Sequence, residues 1–74
     1  MSATIKLLGS LKQYVGGRSE VSVSAGRSVR QAIQELGLKP EIVAMVVVND
    51  APADKEYVLQ EGDVVKLLAV IGGG

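Results

Sequence analysis

Few residues of this chain have side chains able to do chemistry. There is no cysteine and no histidine, so Cys–His and Ser–His–Asp arrangements and the usual zinc sites are excluded. Two carboxylate pairs remain, Asp54 with Glu56 and Glu61 with Asp63. No organised ligand spacing accompanies them, and they read as solvated decoration of turns and strands, with no metal site expected. Five lysines, Lys6, Lys12, Lys39, Lys55 and Lys66, are possible acceptors for conjugation, though nothing in their contexts singles one out. Arg27 and Arg30 stand near the start of the predicted helix, poorly placed for its dipole, and read as ordinary surface residues. What is left is the end of the chain, Gly72-Gly73-Gly74. A free carboxyl on a slim glycine segment is itself a reactive handle. Three extended residues reach about 10 Å, and without Cβ atoms they can enter a narrow channel without clashing. Ordering them costs about 1–2 kcal/mol of backbone entropy per residue. Neighbouring contacts must offset that cost, and Leu68, Val70 and Ile71 are the candidates for docking against a partner.

A carboxylate is a poor electrophile until phosphoryl transfer gives it a leaving group. Nothing in the sequence matches a phosphate-binding loop: GxxxxGK[ST] does not occur, and the glycine run is terminal. The chain is therefore expected to be a co-substrate whose partner supplies the catalysis.

The elements that hold the tail follow from pattern. Of 74 residues, 47% are apolar and almost all of these are aliphatic, enough for one small domain. Eight Lys plus Arg balance eight Asp plus Glu. With both signs interspersed, neither nucleic acid nor a membrane surface is an expected partner. No stretch is long enough for a signal peptide or membrane span, and a cytoplasmic location is expected.

Ile5 and Leu7 alternate with Thr4 and Lys6 in Ala3–Leu8, a first strand. Ser10 is placed to cap a short helical turn through Tyr14, which Gly16-Gly17 breaks. Val21, Val23 and Ala25 alternate with Ser22 and Ser24, a second strand pairing with the first as a hairpin. Ser28 followed by Gln31 is a capping box. Val29, Ile33 and Leu36, with Ala32 alongside, then form the apolar stripe of a helix over Val29–Leu36. Gly37 suits the left-handed residue after it, and Pro40 prevents continuation. Val43–Val48 is a β-branched strand covered on at least one face, ended by a turn at Asn49-Asp50-Ala51-Pro52. Lys55–Leu59 is a short strand candidate, Gln60–Asp63 a turn on Gly62, and Val64–Val70 the last strand. The order ββαβ(β)β is solved economically by one helix lying across one mixed sheet of four to five strands, an α+β class.

"LLGSLKQYVGG" after the first strand, "VVVNDAPADKEYVLQEGDVV" leading into the last, and the Gly-Gly end together cover most of the chain. In these features the sequence resembles the MoaD/ThiS family, the small subunit of molybdopterin synthase and the sulfur carrier of thiamine biosynthesis. The resemblance implies a β-grasp, or ubiquitin-like, domain over 1–71 with a flexible tail at 72–74. The last strand would then lie parallel to the first at the sheet centre and aim the tail outward. It also implies that a ubiquitin-activating-like enzyme adenylates the Gly74 carboxyl, with Gly72 and Gly73 threading into that partner. Sulfur from a donor protein then replaces AMP to give a thiocarboxylate, which a downstream biosynthetic enzyme consumes. ATP and Mg would be used by the partner, and this chain would bind no cofactor. Leu67–Ile71 stands where molybdopterin-type members carry a Phe-Pro-Pro-like stretch, so the thiamine type and other sulfur-transfer routes stay open. Two other functions stay open as well: a ubiquitin-like modifier conjugated through Gly74, and an interaction module with an inert tail.

Overall fold

A computed structural model describes residues 1–69. The expectations placed on Val70, Ile71, Gly72, Gly73 and Gly74 lie outside the described residues.

The first strand, β1 (Ser2–Leu7), buries Ala3, Ile5 and Leu7 and leaves Thr4 and Lys6 half-buried on the other face, following the alternation in the sequence. A 3₁₀ helix follows over Gly9–Val15 and buries Leu11. Ser10 does not cap it. The cap position is Leu8, in extended backbone with no side-chain hydrogen bond, because Gly9 turns the chain at φ 63° one residue ahead of Ser10. Gly16, at φ 71°, ends the helix in the left-handed conformation that favours glycine. β2 (Glu20–Ser24) then pairs antiparallel with β1, Ile5 opposite Val21 and Ala3 opposite Val23, as the predicted hairpin requires.

The helix α1 (Val29–Glu35) carries the capping box in full. Ser28 Oγ accepts from Gln31 N at 3.1 Å, and Gln31 Oε1 accepts from Ser28 N at 2.9 Å. Val29, Ala32 and Ile33 are buried, and Leu36, the C-cap, packs half-buried against the same core. A single 3₁₀ turn at Pro40–Ile42 leads into β3 (Val43–Val48).

The turn after β3 is tighter than expected. Asn49 and Asp50 both have positive φ, 49° and 68°, which is the two-residue connection that matches the twist of a hairpin. Ala51 and Pro52 therefore belong not to the turn but to a short strand, β4 (Ala51–Ala53), paired antiparallel with β3. Pro52 is tolerated there because β4 is an edge strand. Lys55–Leu59 is not a strand. Only Val58 makes an isolated bridge, to Ser28, and the carbonyls of this loop are used elsewhere. Tyr57 O and Lys55 O accept from Val29 N and Arg30 N at 2.9 and 2.8 Å, serving two N–H groups that the first turn of a helix leaves without partners.

β5 (Val64–Ala69) closes the sheet in the order β2-β1-β5-β3-β4. It runs parallel to β1 and antiparallel to β3, as expected of a β-grasp. The core is aliphatic and lies on the helix side of the sheet, with Ile5, Leu7, Leu11, Val29, Ile33, Leu59, Val65 and Leu67 almost fully excluded from solvent. Among the described residues no helix is long and apolar enough to cross a membrane.

Candidate functional site

The last described residues belong to β5. Leu7 is the register partner of Leu67, and Leu8 N donates to Leu67 O at 3.1 Å, so the parallel ladder runs as far as Leu67, two residues before the end of the strand. On the other side Ala69 pairs with Val43. β5 therefore ends in the middle of the sheet, flanked on both sides as far as Leu67 and by β3 alone at Ala69.

Alternation along β5 sorts its side chains. Val65 and Leu67 point into the core, whereas Val64, Lys66 and Leu68 lie half-buried on the opposite face. Leu68, a predicted docking residue, is therefore not a core residue. Its register partner is Met45, which the irregularity between Val43 and Met45 leaves 51% exposed. Leu8, next along β1 beyond the Leu7–Leu67 pair, is 41% exposed. Leu8, just past the end of β1, thus forms an apolar row with Leu68 of β5 and Met45 of β3 at the C-terminal end of β5. The other predicted residues of the site, Val70, Ile71, Gly72, Gly73 and Gly74, are outside the described residues. Leu8 and Met45 are not among the sequence candidates. A signal for Leu8 exists, since it continues the outward alternation of Thr4 and Lys6. Met45 depends on the bulge, which has no sequence mark of its own.

The carboxylates divide differently from the expected solvated decoration. Asp54 and Glu56 are exposed; Asp54 Oδ1 accepts from Glu56 N at 2.8 Å, and Glu56 pairs with Arg30 at 2.8 Å. Arg27 pairs with Glu35, so both arginines have acidic partners on the surface. Asp63, by contrast, is 6% exposed. Its carboxylate accepts from Asn49 Nδ2, Tyr57 Oη and Gln60 N, each at 2.8 Å. These bonds, led by that of the Gln60 N–H, hold its carboxyl below the ordinary range despite burial. Asn49 completes the junction: its Oδ1 accepts from Val64 N at 2.9 Å, and its own N donates to Val64 O at 2.8 Å. Asp63 is a fastening at the head of β5, at the far end of the strand from the tail. Among the described residues no group of three or more His, Cys, Asp or Glu side chains is placed to hold a metal ion.

Comparison with known proteins agrees with this geometry. The model of the ThiS family matches residues 5–74. The chain is 37% identical over 57 residues to the sulfur carrier protein TtuB of Thermus thermophilus, covering 77% of this chain and 86% of that one. Among solved structures it is similar to a chain in the complex of subunits 1 and 2 of molybdopterin-converting factor from Helicobacter pylori. The identity there is 28%, the TM-score 0.66, and both chains are covered in full. It shares its fold with the small archaeal modifier protein 1 of Methanosarcina acetivorans, at 20% identity and a TM-score of 0.75, over 99% of this chain and 96% of that one.

Proposed function

The chain belongs to the ThiS family and is a sulfur carrier of the ThiS/MoaD/TtuB type, and from that premise we propose that the carboxyl of Gly74 is the group that carries the sulfur. As a carrier it is a co-substrate and not a catalyst. The observation that carries the proposal is the position of β5, central in the sheet between β1 and β3 and ending at Ala69 beside an exposed apolar row. A strand fixed on both sides aims the residues beyond its end, and the row offers the contacts that offset the entropy of ordering the tail.

The chemistry follows from the carboxylate. An oxygen of the Gly74 carboxylate attacks the α-phosphorus of ATP in the partner's site, pyrophosphate leaves, and an acyl-adenylate forms. Sulfide (HS⁻) then attacks the carbonyl carbon, AMP departs with the electron pair of the broken C–O bond, and the proton on sulfur is lost to solvent. The product is a thiocarboxylate, whose sulfur a biosynthetic enzyme of the molybdopterin or thiamine type accepts. MgATP belongs to the activating enzyme, and Gly72 and Gly73 are the slim segment that lets the carboxyl reach it. Leu68, with Val70 and Ile71, docks against that enzyme.

Intact-mass measurement tests this. Incubation with the cognate activating enzyme, ATP and a sulfur source is expected to add the mass of one O-to-S exchange, and deletion of Gly73-Gly74 to abolish the gain. An unchanged mass with a competent partner refutes the assignment. Tail-derived glycine remnants on cellular lysines, with no thiocarboxylate formed, would replace it with conjugation.

A further inference from the structure

The open face of the sheet carries a charge arrangement that folding does not need. Lys6 of β1 and Lys66 of β5 are register partners in the parallel pair at the middle of the sheet. Like charges directly opposite on neighbouring strands oppose pairing, and both side chains are half-buried. Asp50 lies 3.6 Å from Lys66, but its own side chain is 88% exposed, so water screens most of that attraction. Among the described residues Lys6 takes part in none of the ion pairs. Glu20, its register partner on the other side, is exposed and is not within ion-pair distance. Lys6 and Lys66 line a hollow of about 380 Å³ together with Val64, Asn49 and Asp50. Asn49 gives an amide N–H to Asp63 and its amide oxygen to Val64 N, and the lysines are the cationic groups able to bind an anion there.

We propose that Lys6 and Lys66 together receive a carboxylate side chain of the activating enzyme when it docks over the end of β5. This rests on the assignment of Gly74 as the reacting terminus. Two considerations select the occupant. The first is reach. Five residues follow Ala69, and fully extended they span at most about 17 Å. A site that takes Gly74 must therefore press against the end of the sheet and cover Leu8, Leu68 and Met45. Lys66 is two residues behind Leu68 on the same face of β5, about 7 Å along the strand, so a surface covering the apolar row also covers the lysine pair. The second is charge. Two adjacent ammonium groups buried under a neutral surface lose hydration with nothing in return, whereas a carboxylate placed between them answers both. The apolar row then gives area, and the lysine pair gives register and selectivity against partners lacking an acid at that point.

The test is binding of the full chain to its cognate activating enzyme, titrated without ATP at several ionic strengths. The Lys6→Gln/Lys66→Gln chain is expected to bind about tenfold more weakly, with a flatter salt dependence. The Lys6→Arg/Lys66→Arg chain is expected to recover most of the affinity. Both should melt no lower than wild type, because neither adds charge to the pair. Equal affinity and salt slope for the glutamine chain overturn the proposal, as does a glutamine chain that weakens only because its melting temperature has collapsed. Absence of wild-type binding overturns it too. A wild-type chain that binds, yet gains no sulfur once ATP and a sulfur source are added, refutes the Gly74 assignment and leaves the lysine pair standing.

Discussion

Tyr57 donates its phenolic hydrogen to Asp63 Oδ2 across 2.8 Å, tying the loop after β4 to the head of β5. The same carboxylate also holds Asn49 from the β3–β4 turn and the backbone of Gln60. Three chain segments converge on one buried acid. Asp63→Ala leaves three donors without their acceptor, and unmet donors in such a place cost more than the bonds contribute when made. The expected loss is about 3 kcal/mol, read as a lower denaturant midpoint. Tyr57→Phe removes one donor and leaves the other two bonds intact, so its loss is expected to be smaller. Equal losses for the two variants would show that the carboxylate is not the organising group.

The same junction sets a pH response at each end. The Gln60 N–H, with Tyr57 and Asn49, keeps the Asp63 carboxyl below its usual 3.8. Its folded-state value lies below its unfolded one, so the stabilisation is complete above the usual carboxylate range and is lost as pH falls toward and through the folded value. The hydrogen bond to Asp63, then burial, then the neighbouring negative charge push the Tyr57 hydroxyl above 10.0. Its contribution is complete below that value and is lost as pH rises past it. Thermal melts across pH are expected to show an acid limb that flattens in Asp63→Ala and an alkaline limb that shifts in Tyr57→Phe. An acid limb unchanged by Asp63→Ala would place the titration elsewhere.

Ser28→Ala removes half of the capping box and frees the Gln31 N–H at the start of α1. The expected cost is about 1 kcal/mol, which lowers the melting temperature of a domain this size by about 4–8 °C. Ser10→Ala is the control, since Ser10 caps nothing, and it should leave the melting temperature nearly unchanged. Comparable losses at both positions would contradict the cap assignments.

The contrast between Ser28 and Ser10 also shows what is legible in the sequence. The capping box is a relation between residues three apart, so residue types and spacing are enough to find it. The alternation of Ile5, Leu7, Val21 and Val23 is equally local, and it locates the hairpin. At Ser10 the local signal is present but Gly9 bends the backbone first. Lys55–Leu59 has strand-like residues, yet its carbonyls at Lys55 and Tyr57 are claimed by the first N–H groups of α1, more than twenty residues back in the chain. Asp63 reads as one more turn acid because its partner Asn49 lies fourteen residues earlier. At the candidate site, Leu68 is legible as a docking candidate, but its face of the sheet is not. Leu8 and Met45 join it only once β1, β5 and β3 lie side by side. Features that one segment settles alone are readable; those needing two distant segments to meet are not.

Leu68 also allows docking and folding to be separated by experiment. Leu67 and Leu68 are adjacent, identical in type and opposite in environment, one in the core and one on the half-buried outer row. Leu67→Ala opens a cavity in the aliphatic core and is expected to cost about 2–5 kcal/mol, a large part of the stability of a chain this small. Leu68→Ala loses only partial burial and is expected to cost about 1 kcal/mol or less. Thiocarboxylation by the activating enzyme should rank them the other way. For the Leu68→Ala chain, still folded at the assay temperature, KM is expected to rise several-fold with kcat little changed, because a contact made equally in bound and transition states is lost. For Leu67→Ala, activity should follow the fraction folded and recover on cooling. A Leu68→Ala chain with unchanged KM would remove the outer row from the docking surface. Gly74 would then be presented by the tail alone.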